Sequence, residues 1–175
     1  MPATALDLTS FIRDIPDFPK PGILFKDITP LLANPAAFDA AIGQMADYYR
    51  DKHVHTVVGI ESRGFIFGAP LAIRLGASFV PVRKPGKLPY KTEKLEYALE
   101  YGTDALEIHV DAVIPGNPVL ICDDLLATGG TTQATKQLVE TVGGKVIGFA
   151  FLIELTFLGG REKLPDTEIL SLIKY

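Results

Sequence analysis

An α/β fold with a mostly parallel, twisted sheet flanked by helices is what this sequence predicts, and three observations predict it. Short, nearly continuous apolar runs at 56–60, 78–82, 118–122 and 146–153 have the length and β-branched content of strands buried on both faces. Helical periodicity separates consecutive runs, at 64–75 between the first two and 131–142 between the last two. Finally, 175 residues with 47% hydrophobic side chains suffice to bury one core but are few for two, so a single domain over 1–175 is expected.

Taken in order, residues 6–12 read as a short helix stopped by Asp14-Ile15-Pro16. The following stretch, with Pro16, Pro19, Pro21, Gly22 and Pro30, reads as an ordered loop. Asn34-Pro35 then opens a helix with proline at its first position, and Phe38, Ala41, Ile42, Met45 and Tyr49 share one face that should pack on a sheet. Strand 56–60, helix 64–75 and strand 78–82 form a unit that implies parallel pairing. From 83 to 101 the pattern breaks into Lys, Pro, Gly and Tyr, and Glu107-Ile108-His109-Val110 resumes alternation, so a flexible, partly β excursion is expected, its mobile part at 83–106. After strand 118–122, helix 131–142 carries Ala134, Leu138 and Val139 on its apolar side and ends at Gly143-Gly144. Residues 145–155 are long enough for a central strand, and 168–173 supply a last one. The alternation is that of a doubly wound α/β domain.

Seventeen basic residues against twenty-one acidic ones leave a net charge of −4, with no long run of either sign, so nucleic acid is not an expected partner. The single Cys122 lies inside an apolar strand, where it has no disulfide partner, and the expected setting is cytoplasmic. No apolar run approaches the roughly 20 residues of a membrane helix. The first residues carry Asp7, Asp14 and Asp17, unlike a signal or transit peptide, so neither export nor membrane association is expected.

The segment richest in chemistry is 119–132, VLICDDLLATGGTT, where an apolar strand runs into two carboxylates, a short loop, two glycines, hydroxyl residues and a helix. Open parallel sheets bind ligands at the carboxyl ends of their strands, the place of Asp123 and Asp124. Adjacent carboxylates there can accept charge-assisted hydrogen bonds from the vicinal hydroxyls of a ribose. Gly129 and Gly130 let the backbone approach a phosphate, and the amides from Ala127 to Thr132 and the following helix N-terminus turn positive dipole toward it. Thr128, Thr131 and Thr132 add hydroxyl donors. The unit has the chemistry of a sugar-phosphate cradle. No GxxxxGK[ST] occurs and no GxGxxG follows a strand, which removes the main support for a kinase or dehydrogenase.

VLICDDLLATGGT resembles the diphosphoribose-binding signature of the type I phosphoribosyltransferases, and its LLATGGT wording resembles the adenine-specific branch. Further segments are similar in the family's order: IPDFPKPGILFKDITPLL, GIESRGFIFGAPLA, RKPGKLP with LEYALEYG, and LIELTFLGGREKL. The resemblance implies transfer of 5-phosphoribosyl from its 1-diphosphate (PRPP) to adenine, giving AMP and diphosphate, with an N-terminal hood over 1–34.

By that resemblance Glu61, Ser62 and Arg63 form the diphosphate loop, in which the bond matching Glu61-Ser62 tends to be cis. Arg63 would pair with the leaving diphosphate, or else bridge loop carbonyls. Arg83, Lys84 and Lys87 would add cationic donors, though a solvated charge run is the alternative. Phe25 would stack on adenine, if it is not a core aromatic, and the backbone of Leu24 and Lys26 would read the base edge. Some relatives have Arg where this chain has Lys26, which puts any guanidinium fork there in doubt. Glu100 and Tyr101 sit on the excursion, which in the family closes over substrate and excludes water, with Glu100 as general acid/base or merely a surface charge. Arg63 completes the expected catalytic set.

A diphosphate leaving group calls for Mg2+, held mainly by substrate and water. His53, His55 and His109 lack metal-site spacing, and zinc is not expected. A homodimer is implied, with segments around 30–32 and 65–70 partly covered. Two other readings stay open: a transferase of the same fold acting on another base, and a non-catalytic PRPP-sensing regulator.

Overall fold

The computed structural model describes residues 6–98 and 102–175. By its internal contacts the chain divides into two units, Met1–Gln44 and Met45–Tyr175.

In the first unit a short 3-10 turn, Leu8–Phe11, leads into an antiparallel ribbon of β1 (Arg13–Pro16) and β2 (Leu24–Asp27). The sequence predicts an ordered loop here, so the ribbon is a correction. Facing residues hold it together: Asp14 pairs in register with Lys26, whose Nζ lies 2.7 Å from its carboxylate, and Arg13 faces Asp27 at 3.7 Å. Opposite charges directly across strands are the sheet's own stabilising pairs. The Asp17 carboxylate accepts the Gly22 amide at 2.7 Å and closes the turn. Asp27 accepts both the amide and the hydroxyl of Thr29, which starts α1 (Thr29–Ala33).

The expected helix follows as α2 (Pro35–Tyr49), its start capped by Asn34, which accepts the Ala37 amide at 3.0 Å. Ala41, Ile42, Met45 and Tyr49 are buried as the spacing predicts, and Ala37 replaces the half-buried Phe38 on that face. The Tyr49 hydroxyl donates to the carbonyl of Phe149 at 2.8 Å, with its ring where Gly148 has no side chain.

The second unit is built on a five-stranded, wholly parallel sheet in the order β4-β3-β7-β8-β9. Its strands are β3 (Thr56–Ile60), β4 (Ser78–Val82), β7 (Pro118–Leu126), β8 (Lys145–Glu154) and β9 (Glu168–Lys174). The connecting helices are α3 (Arg63–Leu75) and α4 (Gly130–Thr141). From β3 to β4 the chain winds one way, and from β7 through β8 to β9 the other, so the order reverses between β3 and β7. Side chains alternate across β3. Val58 and Ile60 join a cluster with Ile121, Leu138, Val139, Phe149 and Phe151. Gly59 faces α3, where a Cβ would stand 2.8 Å from the Phe79 ring and 3.2 Å from the Gly64 carbonyl.

Two further differences matter to function. Strand β7 runs past the predicted end at 122, because β8 continues alongside to Glu154 and pairs Asp123 with Phe151 and Leu125 with Ile153. The excursion is a regular antiparallel hairpin, β5 (Thr92–Ala98) with β6 (Thr103–His109). Its apolar signal has period two, with Leu95, Tyr97, Leu106 and Ile108 turned to the core cluster and polar residues between them. The expected catalytic pair Glu100 and Tyr101 lies outside the described residues.

Gly59→Ala is expected to lower stability by about 1–3 kcal/mol, since an added methyl meets both a ring and a backbone carbonyl. Urea denaturation measures this, and an unchanged midpoint would show that α3 shifts freely on β3.

Candidate active site

The strand order reverses between β3 and β7, the place where open α/β sheets leave a crevice at the carboxyl ends of their strands. A cavity of about 250 Å3 lies there. Its walls are Glu61, Ser62 and Arg63 after β3, Asp123 and Asp124 near the end of β7, and the turn and first residues of α4 from Ala127 to Thr132. Lys84 after β4 and Tyr97 and Asp104 from the hairpin complete it. The structure thus brings together the residues expected for the ribose, the 5′-phosphate and part of the diphosphate. The Glu61-Ser62 peptide is cis.

Close backbone approach sets this geometry. A Cβ on Gly64 would lie 2.7 Å from the Cys122 carbonyl and 3.1 Å from Asp123 Oδ1, so only glycine lets the start of α3 sit against β7. The next-door Arg63 then reaches Asp124, Nε to Oδ2 at 3.0 Å. Gly129 has φ of 77°, a left-handed conformation that turns the chain into α4 with the helix amides facing the cavity. The carboxylates and the amide-lined turn therefore share one wall, with acceptors for hydroxyls beside donors for a phosphate.

Charge in the cavity is arranged in pairs. Burial and the neighbouring Asp124 push the Asp123 carboxyl well above the usual carboxylate range, although the Asp124 amide donates to it at 2.9 Å. Burial raises Asp124 too, with Arg63 opposing. Glu61 shows the reverse balance: burial favours its neutral form, but the Lys84 amide at 2.6 Å and the Arg83 guanidinium at 3.2 Å hold it below the usual range. Lys84 engages Asp104 through its ammonium group, and the Tyr97 hydroxyl bridges Asp104 at 3.3 Å and Thr131 at 3.2 Å. The hairpin is tied to the cradle by that bridge. Cys122 is fully buried, its thiol pushed up by burial and then by the two aspartates, which makes it a packing residue and not a nucleophile.

Other expected site residues are not among those that line this cavity. Arg83 turns to Glu61 and to the Lys87 carbonyl at 3.3 Å, and neither it nor the exposed Lys87 lines the cavity. In the first unit Leu24 is half exposed, Lys26 engages Asp14, and the Phe25 ring meets Phe18 edge-on at 5.1 Å. Sequence reasoning missed Tyr97 and Asp104, which line the cavity. The period-two spacing of Leu95, Tyr97, Leu106 and Ile108 could have found the hairpin.

Because the native fold raises the Asp123 pKa above its value of about 3.9 in an unfolded chain, its contribution favours folding below that pH and is lost as pH rises through the folded pKa. Asp123→Asn is therefore expected to be more stable than the parent chain at pH 7, with the gain disappearing below about pH 3.9. Chemical denaturation across that range measures it, and a parent chain that is the more stable at pH 7 would refute the assignment.

Comparison with known proteins agrees with this geometry. Residues 27–173 match the family described as phosphoribosyl transferase domain. The chain is 62% identical over 170 residues to the adenine phosphoribosyltransferase of Acaryochloris marina, covering 97% of this chain and 100% of that one. The crystal structure of adenine phosphoribosyltransferase from Thermoanaerobacter pseudethanolicus superposes with a TM-score of 0.93 at 57% identity, covering 96% of this chain and 98% of the other. That of the Saccharomyces cerevisiae enzyme, complexed with an imino-altritol bisphosphate and adenine, superposes with a TM-score of 0.89 at 41% identity, covering 94% and 96%. With a cavity at the sheet's reversal lined by two carboxylates and a glycine turn, and with similarity along nearly its whole length, the chain belongs to the phosphoribosyltransferase family, in its adenine phosphoribosyltransferase branch.

Proposed function

We propose that this protein transfers the 5-phosphoribosyl group of PRPP to adenine, forming AMP and diphosphate, and acts as one phosphoribosyltransferase domain. The observation that carries the reading is that Asp123, Asp124 and the 127–132 turn line a single cavity with Arg63 and Lys84. The relatives named adenine phosphoribosyltransferase support adenine as the acceptor.

In this reading the 5′-phosphate sits on the amides and hydroxyls from Ala127 to Thr132, where the start of α4 offers donors and positive dipole. Asp123 and Asp124 accept the ribose hydroxyls. As the bond from the anomeric carbon to diphosphate breaks, positive charge develops on the ribose, and the two carboxylates stabilise it more strongly in a closed site than in water. Arg63 and Lys84 receive the departing diphosphate with the backbone of Glu61 and Ser62, and Arg83 and Lys87 contribute charge from behind the cavity. An imidazole nitrogen of adenine then bonds to the anomeric carbon, and Glu100 takes up the proton, with Tyr101 beside it. Residues 83–106 would act as the loop that excludes water. Adenine recognition is assigned to Phe25 by stacking and to the Leu24 and Lys26 backbone.

In this reading Mg2+ would be held mainly by the diphosphate and water, with Asp123 and Asp124 left to the ribose hydroxyls. Bound with the diphosphate, Mg2+ supplies charge neutralisation of the leaving group. A homodimer belongs to the same reading, with the segments around 30–32 and 65–70 partly covered by the partner. The single buried thiol supports a cytoplasmic setting, and among the described residues no helix is long and apolar enough to cross a membrane.

AMP formation from PRPP and Mg2+ is expected with adenine and not with hypoxanthine, guanine, xanthine or uracil. Asp124→Ala is expected to lower kcat by roughly 10²–10³ and Glu100→Ala by about 10²–10⁴. Turnover of another base would replace adenine as acceptor, and PRPP binding without turnover on any base would favour the sensor.

A further inference from the structure

Gly160 lies outside the cavity, yet its backbone touches the cradle more closely than any side chain could. A Cβ placed on it would stand 2.1 Å from the Ala127 carbonyl oxygen, 3.0 Å from the Ala127 carbonyl carbon and 3.0 Å from the Gly129 nitrogen. All three atoms belong to the turn that opens α4. The contact is reciprocal, since a Cβ on Gly129 would stand 2.4 Å from the Gly160 carbonyl oxygen. Two backbones thus meet with no room for a methyl group, and the position of one dictates the position of the other.

The position of Gly160 is itself locked. The ladder of β7 and β8 extends one step further, with the Leu155 amide on the Leu126 carbonyl at 2.9 Å, and the chain then turns through Thr156–Leu158 and Gly160–Lys163. Arg161, next to Gly160, sets its fork on Glu154, Nε to Oε1 at 2.9 Å and Nη2 to Oε2 at 2.6 Å. The Ser171 hydroxyl of β9 donates to Glu154 Oε2 at 2.7 Å. The Glu154 side chain is only 5% exposed, and Arg161 together with Ser171 holds its carboxyl below the usual range against burial, so it stays ionised. A bidentate pair of this kind fixes direction as well as distance, which a lysine could not do.

We propose that Gly160 is a positioning residue for the 5′-phosphate subsite, and that the Arg161–Glu154–Ser171 lock holds it beneath the cradle. The lock ties the end of β8 and the middle of β9 to the turn at the end of β7, so the cradle's amides are aimed by the far half of the sheet. The proposal rests on the reading of 127–132 as the phosphate site.

The test compares the parent chain with Gly160→Ala, Arg161→Ala and Arg161→Lys in steady-state kinetics, thermal melting and calorimetric titration with ribose 5-phosphate. KM for PRPP and Kd for ribose 5-phosphate are expected to rise roughly 10- to 100-fold in Gly160→Ala and Arg161→Ala, with KM for adenine unchanged, because a displacement of about 1 Å in a positioning element has effects of that size. Arg161→Lys keeps the charge without the fork and is expected to fall between parent and Arg161→Ala. Folded variants with unchanged ribose 5-phosphate affinity, or with both KM values rising together, would overturn the proposal. If Gly160→Ala does not fold, Arg161→Lys decides on the same readings. If the parent chain forms no AMP, the transferase reading fails, while ribose 5-phosphate affinity across the variants still decides the role of Gly160.

Discussion

The missing side chain of Gly64 sets the spacing on which the cavity depends. With no Cβ to hold them apart, the first turn of α3 rests on the Cys122 carbonyl, and the loop after β3 is drawn to the end of β7. Arg63 can then reach Asp124, a carboxylate whose burial would otherwise leave its ionised form without compensation. The same device recurs between Gly129 and Gly160. The site is therefore defined first by how closely backbones approach and only then by the side chains that project from them. Backbone placed this way cannot relax as a side chain can, which suits a cradle that has to present amides to a ligand.

The electrostatics follow from that closeness. Arg63 is held by Asp124, Lys84 by Asp104 and Arg83 by Glu61, so each of these cations has a carboxylate partner before substrate arrives. An anion that came to Arg63 and Lys84 would exchange one anionic partner for another. The net gain is smaller than for a bare cation, but the cations are already oriented and pay little reorganisation on binding. Asp123 carries the opposite burden. It has the raised carboxyl expected of two adjacent acids in a part-buried place, a local cost to stability that makes sense where positive charge is to develop on a bound sugar.

The strands, the helices between them and the cradle were legible because they are local. An apolar run, two acids, two glycines and a helix start occupy consecutive positions, and that order already implies that they share one wall at a strand end. What was not legible depends on partners distant in sequence. The β1–β2 ribbon looked like a loop because prolines dominate it, while the cross-strand pairs Asp14–Lys26 and Arg13–Asp27 become visible only once the strands face each other. The extension of β7 to Leu126 depends on the length of β8. The hairpin's apolar residues are diluted by charged ones, so period two was masked by composition. Gly160 falls in LIELTFLGGREKL, a segment with a family resemblance, but nothing in GGREK states that its neighbour in space is Ala127.

This division also explains why the donor is easier to infer than the acceptor. Among the described residues, the features that line the cavity, two acids, the glycine turn and the cations after β3 and β4, have a chemistry that suits a ribose, a phosphate or a diphosphate more readily than a base. A transferase for any base could carry the same wall. Selectivity for a base would then reside in groups that read ring edges and faces, and where those are backbone amides and carbonyls no side chain records them. Similarity over the whole chain to adenine phosphoribosyltransferases therefore says something that the cradle cannot, because it includes the β1–β2 ribbon, where an aromatic ring at Phe25 and an exposed Leu24 lie on a frame fixed by ion pairs.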